Sequence, residues 1–339
     1  MDGHLHMPRP LQNQEIATIA FRSFLQAPAA GGSLSALSAV TSQLPLNNFD
    51  IWEDVIRGAL WADAKRVQHQ DRVDRAPQRF PSWLDLCSSD GRDREKALRS
   101  GLGPAPDGFL FSLALRRLND WVPQVRMAAR ECVPLVAASS EPEVVADALC
   151  SALPNFASWG RMGDGDRQVF LSLISAERIA SSLKDRVIGT ISGSSTKILI
   201  QAGRAPAFDR WLKEIATKAV QPSTRAKAYR SLMEGRVVWP VGRKWIWTEL
   251  KWCKGRYETI LEERQLHVDV PLLATLASAA ADRSSLVRRL AAELLIKNID
   301  SIGEEVRCLA EKLASDRSRY VSERGKFALA RLCDPAAVS

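Results

Sequence analysis

Residues 236–257, RVVWPVGRKWIWTELKWCKGRY, gather the side chains of this sequence best suited to holding a ligand. Four Trp and six Lys or Arg stand there against one acid, Glu249. Flat rings among cations suit a stacked base, a phosphate-bearing ligand or an acidic protein surface. Pro240 suits the first turn of a helix, and Val241–Cys253 reads as the first helix of a helical hairpin. On a helical wheel Val241, Trp245, Ile246, Leu250, Trp252 and Cys253 form an apolar half, which assigns Trp245 and Trp252 to the core. Trp247 falls on the other half with Arg243, Lys244, Thr248 and Lys251. It is the ring expected to meet a partner, with Arg243, Lys244, Lys251 and Lys254 around it. The competing reading packs Trp247 against an adjoining pair of helices. Arg225, Lys227, Arg230 and Arg289, on segments read as second helices, extend the candidate partner surface.

Other chemistry finds no constellation. In 189-GTISGSSTK-197 the second Gly comes one residue early for a phosphate-binding loop and no Lys follows it. Ser194 and Lys197, like Ser181 and Lys184, have the spacing of an acyl-transfer motif but lack its companion segments. His4, His6, His69 and His267 pair with no carboxylate or Cys at ligand spacing. Gly160, Gly163 and Gly165 read as a loop between helices. Glu262 and Glu263 are adjacent and would diverge on a helix. No catalytic, cofactor-binding or metal-binding residue is assigned, and no cofactor is expected.

The elements that must position the cluster emerge from internal repetition. In 119-NDWVPQVRMAARECVPLVA-137, Asp120 precedes Val125 by five residues, Arg126 follows it, and Ala129 and Val133 lie four and eight beyond. Asp282, Val287, Arg288, Ala291 and Leu295 keep the same offsets, as do Asp316, Val321, Gly325 and Leu329, with Ser322 in place of the Arg. Weaker copies centre on Arg94 and Arg225. The intervals between equivalent positions, 32, 99, 63 and 34, approximate one, three, two and one units of about 32–33 residues, the mark of a stacked repeat. Degenerate units are then expected near residues 159, 192 and 256. The small residue four after the Val lets helices approach closely, and the residue at eight continues one apolar face.

This pattern resembles the HEAT repeat of the armadillo-like superfamily. The resemblance covers about residues 80–335. It implies an all-α fold, a right-handed α-α superhelix of about seven to eight stacked helical hairpins. It also implies a structural ladder of Asp and Arg joining neighbouring units, here Asp120, Arg126, Asp282, Arg288 and Asp316. Residues 1–12 read as a mobile terminus, and 13–75 as irregular helices capping the array, with Asp50 and Glu53 in a capping-box pattern.

Composition bounds what such an array would do. The chain has 339 residues, 46% hydrophobic and 25% charged, as a foldable soluble protein has. The net charge is −1 over residues 1–110, +3 over 111–220 and +6 over 221–339, so an acidic partner is sought at the basic C-terminal third. Six scattered Cys without a paired framework, most of them in apolar helical patterns, fit buried thiols in a reducing cytoplasm. Neither a signal segment nor a membrane-spanning run is evident. The expected function is a non-enzymatic scaffold that binds an acidic protein through its concave surface or its basic C-terminal third. A nucleic-acid-binding solenoid is the alternative. A third possibility is similarity to the HEAT-like alkylpurine DNA glycosylases, for which no residue can be carried over.

Overall fold

The computed structural model describes residues 34–46, 49, 51–58, 61, 83–302 and 305–333. The proposed mobile terminus and much of the proposed N-terminal cap, Asp50, His4, His6 and His69 included, lie outside the described residues. The chain divides into two compact units, residues 1–155 with 159–173, and residues 156–158 with 174–339. The described residues are dominated by α-helix, with a single two-stranded sheet among them.

In the first unit α1 (Leu34–Thr41) and a helical segment at 51–58 precede α2 (Gly91–Arg99), α3 (Gly108–Arg116), α4 (Pro123–Ser139), α5 (Pro142–Ala152) and the start of α6 (Asp164–Ser175). Helix α3, GFLFSLALR, is apolar on every side, and Phe109 through Leu115 are all buried. A helix of that kind belongs at the centre of a core, and α1, α4 and α5 pack around it. Asp107 caps it by accepting from the Leu110 amide at 2.9 Å, and also takes the Thr41 hydroxyl at 2.6 Å, which ties α1 to α3. Pro123 and Pro142 open α4 and α5 where a missing N–H costs nothing.

A chain of charges is buried beside this core. Glu53 accepts from Arg117 at 2.5 Å and Arg116 at 3.1 Å. Arg117 also bonds Asp120 at 2.9 Å, and Asp120 receives both arms of Arg94 at 2.8 and 2.9 Å. Glu53, Arg94, Arg117 and Asp120 are all buried. Burial alone would raise the carboxyl pKa of Glu53, but Arg117 and Arg116 outweigh it and leave the group below its ordinary 4.5. At Asp120 burial is likewise overcome, by Arg94, the Val122 amide and Arg117. Below them the Cys87 thiol, fully enclosed and close to Glu53, is pushed up to about 12 and stays protonated.

The second unit is built from helix pairs. These are α7 (Glu177–Gly189) with α8 (Ser195–Ala202), and α9 (Leu212–Lys218) with α10 (Pro222–Glu234). Two more follow, α11 (Leu272–Ala280) with α12 (Ser285–Lys297), and α13 (Glu305–Ala314) with α14 (Arg319–Cys333). The second helices α10, α12 and α14 pack in series. Short connections join the two helices of each pair, which pack against one another.

Gly325 shows how close the fit is. A Cβ there would meet the main chain of Leu313 and Ala314 at distances no real contact tolerates. Gly325→Ala would gain about 1 kcal/mol in helix propensity, yet overpacking against rigid backbone is expected to leave a net loss of about 1–3 kcal/mol. Urea denaturation measures this, and an unchanged or higher midpoint would contradict the close approach of α13 and α14.

Three Arg residues near helix starts each hold an Asp that precedes a later helix. Arg94 holds Asp120, Arg225 holds Asp282 through two bonds of 2.8 Å, and Arg288 holds Asp316 at 2.6 and 2.9 Å. The pairs six residues apart, Asp120 with Arg126 and Asp282 with Arg288, meet differently. Each Arg donates to the main-chain carbonyl of the Asp, at 2.7 and 2.9 Å. Arg126 lies 3.8 Å from Asp166, whose nearer partner is Arg130 at 2.5 Å. Arg225 is therefore a ladder residue, 1% exposed, and its assignment to a partner surface is corrected.

The largest departure from the sequence reading lies between α10 and α11. Val241–Cys253 is not a helix. Arg236–Glu249 is a strand, β1, paired antiparallel with Lys254–Gln265, β2. The repeat unit expected near residue 256 is therefore absent, and the 63 residues from Arg225 to Arg288 hold one hairpin connection plus an inserted ribbon. Val, Ile, Trp and Thr, which make up most of β1, fit a pleated surface better than a helix interior. The wheel that fitted Val241–Cys253 placed Trp245 and Trp247 on opposite halves, whereas a strand puts residues two apart on one face.

Candidate functional site

A two-stranded ribbon is marginal in water by itself, so its base must be fixed. Val237 and Trp239 of β1 are buried against the helices. Arg264 of β2 donates to both oxygens of buried Asp209, at 2.9 and 2.5 Å, and to the Gly203 carbonyl at 2.6 Å. Asp209 also accepts the His267 amide at 2.9 Å, which gives His267 a structural setting. The Arg204 guanidinium lies 5.3 Å from the Trp239 ring centroid, and the Trp239 indole donates to Glu262 at 3.2 Å. Glu263 accepts from Arg236 at 2.7 Å. Where the ribbon leaves and rejoins the helices, the Leu266 amide meets the Gly235 carbonyl at 2.9 Å. The excursion thus begins and ends at one point.

Beyond this base the ribbon is exposed. Register pairs Arg243 with Thr259, Trp245 with Tyr257 and Trp247 with Gly255, and paired residues share a face. One face therefore carries Arg243, Trp245, Trp247, Tyr257 and Thr259. Trp245 is the centre of the group. Its ring stands nearly perpendicular to Trp247, 86° at 5.5 Å, and to Tyr257, 71° at 4.9 Å. Gly255 makes room for it, because a Cβ there would lie 2.5 Å from the indole. Even so Trp245, Trp247 and Tyr257 are 42%, 53% and 67% exposed. The expectation that Trp245 and Trp252 are core is overturned. Trp252 is exposed in the short turn at the tip, which Cys253 closes in the left-handed conformation at φ 49°.

The cations surround this face. Lys244 and Arg256 project from the opposite face, and Lys251 and Lys254 stand at the tip. Lys244 lies 3.9 Å from Glu258 and Lys254 lies 3.5 Å from Glu249, all four well exposed. Such pairs are worth little in water, so both ammoniums remain accessible to a stronger anion. Arg243, Lys251 and Arg256 form no ion pair among the described residues. Residues 236–265 hold seven Lys or Arg against four Glu, so the ribbon carries a positive balance on both faces.

Of the residues expected to meet a partner, Arg243, Lys244, Trp247, Lys251 and Lys254 are thus brought together and exposed. The others are not. Lys227 is half-buried and donates to the Val238 carbonyl at 3.1 Å, and burial holds its pKa below 10.5. Arg230 and Arg289 are exposed on α10 and α12 rather than on the ribbon, with Glu293 3.5 Å from Arg289. Trp245, Arg256 and Tyr257 were missed. Their signal was the period of two in Trp245–Ile246–Trp247 and in Arg256–Tyr257–Glu258–Thr259.

Among the described residues no group of three or more His, Cys, Asp or Glu could hold a metal ion, and no helix is long and apolar enough to cross a membrane. Cys87 and Cys132 are buried, Cys150 is half-buried, and Cys253, Cys308 and Cys333 are exposed free thiols, which corrects the expectation that most are enclosed. No family model matches the chain, and no curated protein matches it.

Proposed function

We propose that this protein is a non-enzymatic HEAT-type helical-repeat scaffold that takes an anionic macromolecule on its β-ribbon. The repeat reading is supported by one relation recurring at Arg94–Asp120, Arg225–Asp282 and Arg288–Asp316, with α10, α12 and α14 packed in series. The observation that carries the binding reading is the exposed ribbon, where three accessible rings stand among five cations on a firmly anchored base. Rings left in water at this density mark an interaction surface. Three exposed thiols accord with a reducing, cytoplasmic setting.

A trimmed chain tests the site. Pro240 and Leu261 face each other across the ribbon, so residues 241–260 can be replaced by Asn-Gly, a tight hairpin turn. Binding to immobilised (dT)20 and to poly-L-glutamate is then compared with the intact chain. Affinity for at least one is expected to fall tenfold or more, with a melting temperature close to that of the parent. An intact chain that binds neither probe, or a trimmed chain that binds both unchanged, would refute the proposal.

A further inference from the structure

Resting on that reading of the ribbon, we infer that its ligand is single-stranded nucleic acid, bound without regard to base order by stacking on Trp247 and Tyr257. Trp245 acts as the pillar between them. Its ring is seated on the Gly255 backbone and meets the other two nearly at right angles. It thereby holds two separate aromatic surfaces apart, each more than half exposed. Stacking of this kind tolerates any base because every base has a π-face.

Three neighbouring chemistries fit less well. Perpendicular rings around one point also make a cage for a methylated ammonium, but Arg243, Lys244 and Arg256 would repel a cation there. Duplex DNA admits a two-stranded ribbon into its major groove, where base edges are read by hydrogen-bonding side chains. The face that would meet those edges instead presents rings, with Arg243 and Thr259 at its end. An anionic membrane would take rings gathered at a tip, within the ~5–10 Å an interfacial element penetrates. Here they run from Trp252 at the tip back to Tyr257 and Trp245, paired three positions from the end of β1–β2 register. The cations on both faces and at the tip are placed to follow a phosphate backbone past the rings.

Two roles separate experimentally. Trp247→Ala and Tyr257→Ala remove stacking and leave the charge, whereas Arg243→Gln removes a charge on the same face and leaves the rings. Gly255→Ala displaces the Trp245 pillar, and because its Cβ would also meet the Ile246 carbonyl oxygen at 2.7 Å it shifts the β1 main chain beside Trp247 as well. Labelled (dT)20, the same strand annealed to (dA)20, and poly-L-glutamate as competitor are titrated against the full chain across a salt series. The single strand is expected to bind at least tenfold tighter than the duplex. Trp247→Ala and Tyr257→Ala should each weaken it about 5- to 100-fold with an unchanged salt slope. Arg243→Gln should reduce that slope by about 0.7. Gly255→Ala should mimic the ring variants, weakening binding at constant slope, and melting temperatures should hold in the ring and charge variants.

If the duplex binds as well as the single strand, or the ring variants bind normally while the trimmed chain does not, the single-strand inference falls and the ribbon survives as the site. Displacement of (dT)20 by poly-L-glutamate at a lower charge concentration would likewise overturn it in favour of an acidic protein. If the trimmed chain binds (dT)20 as the parent does, the inference falls together with the ribbon reading.

Discussion

Asp120→Ala is expected to destabilise the first unit by about 3–5 kcal/mol, the range for removing one partner of a buried charge pair. Its carboxylate receives Arg94 twice, Arg117 once and the Val122 amide. Its loss leaves the buried Arg94 guanidinium with only the Ser88 and Ser89 carbonyls, at 2.7 and 3.2 Å. Arg117 would keep Glu53. The pH dependence follows from the same contacts. Asp120 and Glu53 both hold their protons less tightly in the folded chain than at 3.8 and 4.5. The stability they add is therefore complete above the ordinary carboxylate range and drains away as pH falls below it, through the depressed folded values. Urea midpoints between pH 7 and pH 3 should show the parent losing more stability than Asp120→Ala on the acid side. A loss below 1 kcal/mol at pH 7 would mean that the buried network is not held as described.

The second large effect concerns Arg225. Arg225→Leu should cost about 3–5 kcal/mol, because Asp282 is left as an enclosed carboxylate supported only by the Ser284 amide at 2.7 Å. Arg225→Leu combined with Asp282→Leu should cost clearly less than the two singles summed, a coupling of about 1–3 kcal/mol. A cycle on Asp282 and Arg288 should behave differently. Arg288 grips the main-chain carbonyl of Asp282, which survives replacement of the side chain, and keeps its own ion pair with Asp316. Near-additivity is expected there, within about 0.5 kcal/mol. Strong coupling of Asp282 with Arg288 and none with Arg225 would reverse the assignment of the ladder.

The helical pairs were legible because their signals are local. Asp282, Val287, Arg288, Ala291 and Leu295 repeat at fixed offsets, and a helix of period 3.6 turns those offsets into one packed face. The direction of the ladder was not legible. Spacing within one unit cannot say whether an Arg reaches its own Asp or the next one, a question decided by how closely two pairs pack. Gly325 carried part of that information, as the small residue the pattern demands.

The ribbon was misread for two reasons. Its tip, Glu249–Lys254, has none of the Asn-Gly or Asp-Gly signals that announce a hairpin. The extra residue Val241, at the register shift between Pro240 and Gly242, also breaks the alternation of β1 where a reader would seek it. Trp247, expected on a helix as a ring among cations, stands exposed on a strand. Its neighbours are Trp245, two residues back, and Gly255, opposite it on the returning strand, where only the register could reveal it.

A sheet of two strands has two edges and no interior strand. Each edge of this ribbon offers a row of unpaired N–H and C=O groups, a template for adding another strand from a second chain. The register shifts at Val241 and Thr248 interrupt that template, and Lys244, Lys254 and Arg256 oppose the approach of a like-charged ribbon. The charges thus guard solubility whatever else they touch. Neutralising several of them together would invite edge-to-edge association, and loss of binding in such a variant would then report aggregation rather than a missing contact.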